Sequence, residues 1–286
     1  MAKIGVYLKS LRLRTLPLSM SGIVLGSGLA AKEGNMSWPV FALAIGTTLS
    51  LQILSNLSNE LGDAQKGTDA DQAGREAYGL QSGQLTMSAI RHMIGLFIAL
   101  SVVLGTALVW TACGGLLTIE AGVFLLLGLL AIIGAMTYTL GRHSYGYMGL
   151  GDLGVFLFFG LLSTIGGYYL QTHHLSAEAA WLGAAIGLPC VGVLNLNNIR
   201  DMQNDIRHGK RTLASRLGQI GGRVYHTLLL AVCLLIFAAF GHYWTLCVTP
   251  IWAWHLWYVW THDEKLDRQM PILMMTTLGV AIISLV

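Results

Sequence analysis

Residues 56–69 read NLSNELGDAQKGTD, and residues 198–212 read NIRDMQNDIRHGKRT. Aligned, they share N-x-x-[ND]-x-x-x-D-x-x-x-G, with Asn56, Asn59, Asp63 and Gly67 matching Asn198, Asp201, Asp205 and Gly209. Positions i, i+3 and i+7 fall on one helix face, so each copy should project its amides and carboxylates together. The glycine four residues beyond the last Asp is a natural helix stop. Hard oxygen donors from two helix ends suit Mg²⁺, which takes one or two carboxylates, waters and phosphate oxygens. Lys66, Arg200, Arg207, Lys210 and Arg211 flank the acids. A metal–diphosphate complex held between the two copies would explain why both signs of charge gather there. The plainer alternative, ordinary polar caps at helix ends, accounts poorly for two matched copies, because ionisable groups at membrane depth are costly unless compensated.

The elements that must carry these groups are membrane helices. Hydrophobic residues make up 54% of the chain and charged residues only 11%, with a mean hydropathy of +0.62. A soluble domain carries roughly 25% charged residues, so most of this surface must face lipid. Nine apolar runs approach the length needed to span a bilayer: 15–31, 38–57, 88–112, 115–137, 150–171, 178–197, 223–240, 243–260 and 269–286. The expected fold is all-α, a polytopic bundle of about nine transmembrane helices around a central cavity, forming one domain over residues 1–286. Trp252, Trp254, Trp257, Tyr258 and Trp260 give the eighth run the aromatic character of a headgroup region. His255 lies among them and reads as interfacial. Cys113, Cys190, Cys233 and Cys247 are scattered through apolar sequence and read as packing residues, not as a metal site or disulfide framework. The start, MAKIGVYLKSLRLRTLP, lacks the apolar core and cleavage site of a signal peptide. The last run stops at Val286 without a polar tail, so a truncation is expected there.

When the loops are assigned alternately to the two sides, every Lys and Arg except Lys32 falls on the side of the N-terminus. That side should be cytoplasmic, in a multi-pass protein of the cell inner membrane. Glu60, Asp63, Asp69, Asp71, Asp152, Asp201 and Asp205 fall on it too, whereas His173 and His174 lie opposite. Each motif copy follows an even-numbered run, so the two halves read as parallel repeats related by an axis along the membrane normal.

Four segments resemble the UbiA superfamily of intramembrane aromatic prenyltransferases, and within it the group that prenylates 1,4-dihydroxy-2-naphthoate for menaquinone biosynthesis. They are RLRTLPLSMSGIVLG (12–26), LQILSNLSNELGDAQKGTD (51–69), YTLGRHSYGYMGLGDLGVFLFFG (138–160) and LNLNNIRDMQNDIRHGKRTLASRLG (194–218). The sequence departs from the family pattern at Glu60, where Asp is usual, and at His143-Ser144, which replace an Arg/Pro pair. The resemblance implies an Mg²⁺-dependent transfer of an all-trans polyprenyl group from its diphosphate to the naphthoate, with decarboxylation, giving demethylmenaquinol, CO₂ and diphosphate. It also implies Asn59, Asp63, Asp69, Asp201 and Asp205 as metal ligands. Lys210, Arg200, Arg142 and Lys66 are then expected at the diphosphate, with Asn56 and Asn198 also facing substrate. Tyr138 is expected to stabilise the allylic cation through its ring face or bind phosphate through its hydroxyl. Arg14 would hold the naphthoate carboxylate or serve as a positive-inside anchor. Asp152 would orient the acceptor hydroxyls or cap a helix.

Two other readings stay open from the residues alone. One is another aromatic acceptor such as 4-hydroxybenzoate; the other is a transporter, which would place its polar groups near mid-helix. Nucleic acid is not an expected partner. The orientation is tested with single cysteines in a chain stripped of the four native ones. Cysteines at Ser82 and Gln219 should resist a membrane-impermeant thiol reagent in intact cells, and one at Asn35 should react. The reverse pattern would invert the protein.

Overall fold

The computed structural model describes residues 4–68, 77–262 and 266–286. The chain forms α1 (Ile4–Leu11), α2 (Leu16–Lys32), α3 (Trp38–Lys66), α4 (Met87–Cys113), α5 (Ile119–Thr137) and α6 (Gly151–Thr172). It continues with α7 (Ala177–Arg200), α8 (Met202–Arg207), α9 (Leu213–Ala239), α10 (Thr249–Thr261) and α11 (Met270–Ile283). No strand occurs among the described residues.

Seven helices are long and apolar enough to cross a membrane: α3, α4, α5, α6, α7, α9 and the stretch Leu266–Ile283 that ends in α11. The remaining two apolar runs also fold as helix, but in shorter pieces. One is α2, of 17 residues, and the other is a 3₁₀ segment, Tyr243–Val248, followed by the 13 residues of α10. Hydroxyl caps start four of the long helices: Thr86, Thr118, Ser176 and Thr212 each accept a hydrogen bond from the backbone N–H three residues on. α3 runs past its apolar stretch to Lys66, so it carries Asn59 and Asp63 on continuous helix.

α7 is the protein-surrounded member, 72% buried along its span, whereas α5 is only 11% buried and turns one side, with Phe124, Gly128 and Ile132, to the central cavity. One packing centre joins α2, α7, α9 and α11 through residues such as Leu25, Leu182, Leu196, Phe237 and Leu273. A second joins α3 and α4 through Leu54, Leu57 and Ile90. α2 packs closely on α6 because glycines face it: a β-carbon at Gly26 would strike the Thr164 carbonyl, and one at Gly22 the Ser163 hydroxyl. Small residues are how membrane helices gain van der Waals contact when lipid offers no hydrophobic drive to pair. α6 also contains a π-helical stretch, Phe156–Leu162, whose side chains Phe158, Phe159 and Leu162 line the central cavity.

Gly26→Val should therefore cost about 1–3 kcal/mol through overpacking. Gly122→Ala in α5, where a β-carbon meets nothing within 4 Å, should be neutral. Thermal unfolding in detergent reads the difference, and equal melting of the two variants would refute the close α2–α6 contact.

Candidate functional site

The first motif occupies the end of α3. Gly67, at φ 72°, stops the helix, and the Thr68 N–H returns to the Asp63 carbonyl at 3.2 Å. Two faces of this helix end do different work. Asn59 and Asp63 face the interior of the site, with the Thr139 hydroxyl donating to Asn59 Oδ1 at 3.1 Å. Gln52, Asn56 and Glu60, spaced by four, face the N-terminal segment instead. Asn56 Nδ2 donates to the Leu11 carbonyl at 2.9 Å and to Thr15 Oγ1 at 3.0 Å, while its Oδ1 accepts from Gln52. Glu60 Oε1 accepts from the Leu80 N–H at 2.8 Å and from Ser10 Oγ at 3.3 Å. Asn56, expected at substrate, thus borders the cavity but spends its amide on fastening α1 and α2.

The second motif departs from the expected single helix face. α7 ends at Arg200, and Asp201, at φ −92° and ψ 5°, separates it from α8. The break lets Arg200 fold back on its neighbour, donating through Nε to Asp201 Oδ1 at 2.7 Å and through NH2 to Oδ2 at 2.5 Å. Arg200 also pairs closely with Asp267. Arg200, expected at the diphosphate, is therefore committed to two carboxylates. Asn198 is buried at the end of α7.

Asp205, on α8, is the most enclosed acid of the motif, 2% exposed. Lys210 Nζ lies 3.4 Å from its Oδ1, and no donor among the described residues reaches its Oδ2. Burial pushes its carboxyl up to about 6; Lys210 pulls it down, and the charges of Asp201 and Asp63 push it further up. The ends of the two motif copies meet: Asn204 Nδ2 donates to the Thr68 carbonyl at 2.7 Å.

Between them stands a residue that the spacing argument did not single out. Tyr147 donates its hydroxyl to Asp63 Oδ1 at 2.8 Å and shares a hydrogen bond with Thr68 Oγ1 at 2.9 Å. Lys66 Nζ sits 3.7 Å from the centre of its ring and Lys210 Nζ 5.5 Å. Lys66 also donates to the Thr139 carbonyl at 2.7 Å and closely to Ser144 Oγ. Tyr147 belongs to the segment 138–160 quoted above, which also holds Tyr138 and Tyr145, and of the three Tyr138 is the one expected at the site from sequence.

The other expected residues are dispersed. Tyr138 stacks edge-on against Tyr145 with centroids 5.2 Å apart, and both line the cavity. Tyr225, also unforeseen, donates to Asp152 Oδ1 at 3.4 Å, so Asp152 is paired across to α9. Arg142 is exposed. Arg14 is exposed too and donates to the Tyr78 hydroxyl at 3.0 Å. Asp69 lies outside the described residues. His255 is not interfacial: it is fully buried, with Nε2 2.9 Å from His226 Nε2 and Nδ1 2.9 Å from Gln269 Oε1. All four cysteines are free thiols.

Below Asn59 and Tyr138 opens a cavity of about 530 Å³. Its walls are mostly apolar, from Leu51 and Phe158 down to Ile23, Phe124 and Leu170. The polar groups therefore sit at one mouth of a greasy chamber. Among the described residues no three His, Cys, Asp or Glu side chains cluster as a closed metal cage. The donors that Asn59, Asp63 and Asp205 offer are all oxygens, and Asp205 Oδ2 has no donor among the described residues; that chemistry fits Mg²⁺ shared with a phosphate ligand better than Zn²⁺.

Residues 19–279 match the UbiA prenyltransferase family. The chain belongs to that family. It is 40% identical over 251 residues to the 1,4-dihydroxy-2-naphthoate octaprenyltransferase of Escherichia coli, covering 87% of this chain and 79% of the relative. The enzyme of the same name from Haemophilus influenzae is 36% identical over 290 residues, covering 98% and 94%. A solved UbiA homolog from Archaeoglobus fulgidus, bound to GPP and Mg²⁺, shares the fold with a TM-score of 0.66 at 15% identity, over 98% of this chain and 99% of its own. As a UbiA-family member the protein is a multi-pass membrane prenyltransferase.

The raised carboxyl of Asp205 has a signed consequence for this UbiA-family protein. A folded-state pKa of about 6 against an unfolded value of 3.8 means that the folded state binds the extra proton between those pH values. In chelator, wild-type stability should rise relative to Asp205→Asn as pH falls from 7.5 to 5. Melting temperatures of both proteins across that range check it, and parallel curves would contradict the burial of this charge.

Proposed function

We propose that this protein transfers a polyprenyl group from polyprenyl diphosphate to 1,4-dihydroxy-2-naphthoate, releasing CO₂ and diphosphate and giving demethylmenaquinol. The observation that carries the reading is the junction of two chemistries: Asn59 and Tyr138 line an apolar chamber, and Asp63, one turn beyond Asn59 on α3, begins the cluster of acids and lysines around Tyr147. An isoprenoid diphosphate has that same division between charged head and greasy tail. The acceptor follows from the two octaprenyltransferase relatives. A transporter fits less well, because the polar groups gather at one end and not along a path.

Asn59, Asp63 and Asp205 would hold Mg²⁺, with Asp69 as a further member of the set and Asp201, already bound by Arg200, joining through water. When bound, the ion would neutralise the diphosphate as negative charge develops on it. Lys66 and Lys210, both beside Tyr147, would bind the diphosphate oxygens and keep them oriented. Asn198 would face the substrate from the end of α7, whereas Arg200 acts by neutralising Asp201. Breaking the allylic carbon–oxygen bond leaves a carbocation, which the ring face of Tyr138 is placed to stabilise at the head of the chamber. The apolar walls exclude the water that would otherwise capture that cation. Asp152 with Tyr225 would orient an acceptor hydroxyl. The mouth opens to the cytoplasm, where the basic loops lie, and the whole chain acts as one prenyltransferase domain in the inner membrane.

Asp63→Ala and Asp205→Ala should each lower turnover by roughly 10²-fold or more, the scale of losing a preorganised electrostatic partner. Purified protein given polyprenyl diphosphate and a panel of aromatic acids should prenylate the dihydroxynaphthoate, stop in EDTA and recover with Mg²⁺. Preference for 4-hydroxybenzoate would overturn the acceptor, and full activity in EDTA would overturn the metal.

A further inference from the structure

We propose that Tyr147 is the positioning residue that sets the distance between the two acidic motifs, and so the geometry of the metal and diphosphate they receive. The inference rests on the prenyl-transfer reading above. Its basis is that Tyr147 reaches both motifs with separate parts of one residue.

Toward the first motif, the hydroxyl holds Asp63 Oδ1 at 2.8 Å and meets Thr68 just beyond the helix stop. Toward the second, the Tyr147 carbonyl accepts the Arg211 N–H at 3.0 Å, in the loop that follows Asp205. The ring lies between, with Lys66 from the first motif and Lys210 from the second both near it. A direct strap supplements it: Asn204 Nδ2 donates to the Thr68 carbonyl at 2.7 Å. Moving Tyr147 would thus shift a carboxylate and both lysines at once.

The chemistry suits a phenol better than other side chains. A neutral hydroxyl fixes one oxygen of Asp63 without cancelling its charge, leaving the other oxygen to a cation. A lysine there would neutralise the acid, and a glutamine would lack the ring that both ammonium groups approach. Outer partners of this kind orient metal-binding groups and tune their affinity.

Tyr147→Phe removes only the hydroxyl, and Tyr147→Leu removes the ring as well. Tyr147→Phe should raise the Mg²⁺ concentration for half-maximal activity about tenfold, the usual cost of losing an outer partner. Its KM for the naphthoate should not change. Tyr147→Leu should in addition raise the KM for polyprenyl diphosphate. Mn²⁺ binding in the presence of inorganic diphosphate, followed by electron paramagnetic resonance, should weaken in the same order, a readout independent of turnover. If both variants bound Mn²⁺ and diphosphate as wild type does, or if the naphthoate KM rose in place of the metal requirement, the assignment would be wrong. Wild-type activity undiminished by EDTA would instead overturn the metal reading on which the inference stands.

Discussion

Carboxylates from two helix ends can share one dry pocket only if positive charge arrives with them. Everything at the mouth of this bundle answers that constraint. Asp201 is neutralised by Arg200, which is itself shared with Asp267. Asp205 has only Lys210, at 3.4 Å, and keeps an oxygen without a donor among the described residues. Asp63 is held by a neutral phenol. The acid beside the α7–α8 break is therefore paired within the protein, while Asp205 keeps an oxygen open. A cation and an anionic ligand entering together would relieve that deficit.

The fold serves this arrangement by separating two packing centres, one on α2, α7, α9 and α11 and one on α3 and α4, with the chamber lined from both. The glycine contacts of α2 against α6 bring these two walls of the chamber into close packing. The N-terminal segment is held to α3 by Gln52, Asn56 and Glu60. Polar side chains near the mouth thus divide between fastening the scaffold and facing the site.

Most of this architecture was legible in the residues. Apolar runs and the one-sided distribution of Lys and Arg located the helices, because burial in lipid leaves so few alternatives. The four-position repeat singled out the two helix ends that come together around Tyr147. What spacing could not reveal was which face each polar residue turns to. Asn56 and Asn59 look equivalent in the motif, yet one faces the N-terminal segment and the other the site. The break at Asp201 was hidden too, because motif periodicity assumes continuous helix, and with it went the true partner of Arg200. Tyr147 and Tyr225 act across long sequence separations, on Asp63 and Asp152, which no local pattern encodes. His255, read as interfacial from its tryptophan neighbours, is buried because its partners His226 and Gln269 come from flanking helices.

The central claim is that the two motifs form one binding site and not two independent ones. Calorimetric titration of inorganic diphosphate with Mg²⁺ into wild type, Asp63→Asn, Asp205→Asn and the double variant measures this directly. A single shared site predicts strong non-additivity, the double variant losing little more than the worse single one. Losses that simply add would mean that the motifs act separately, and would contradict the composite site.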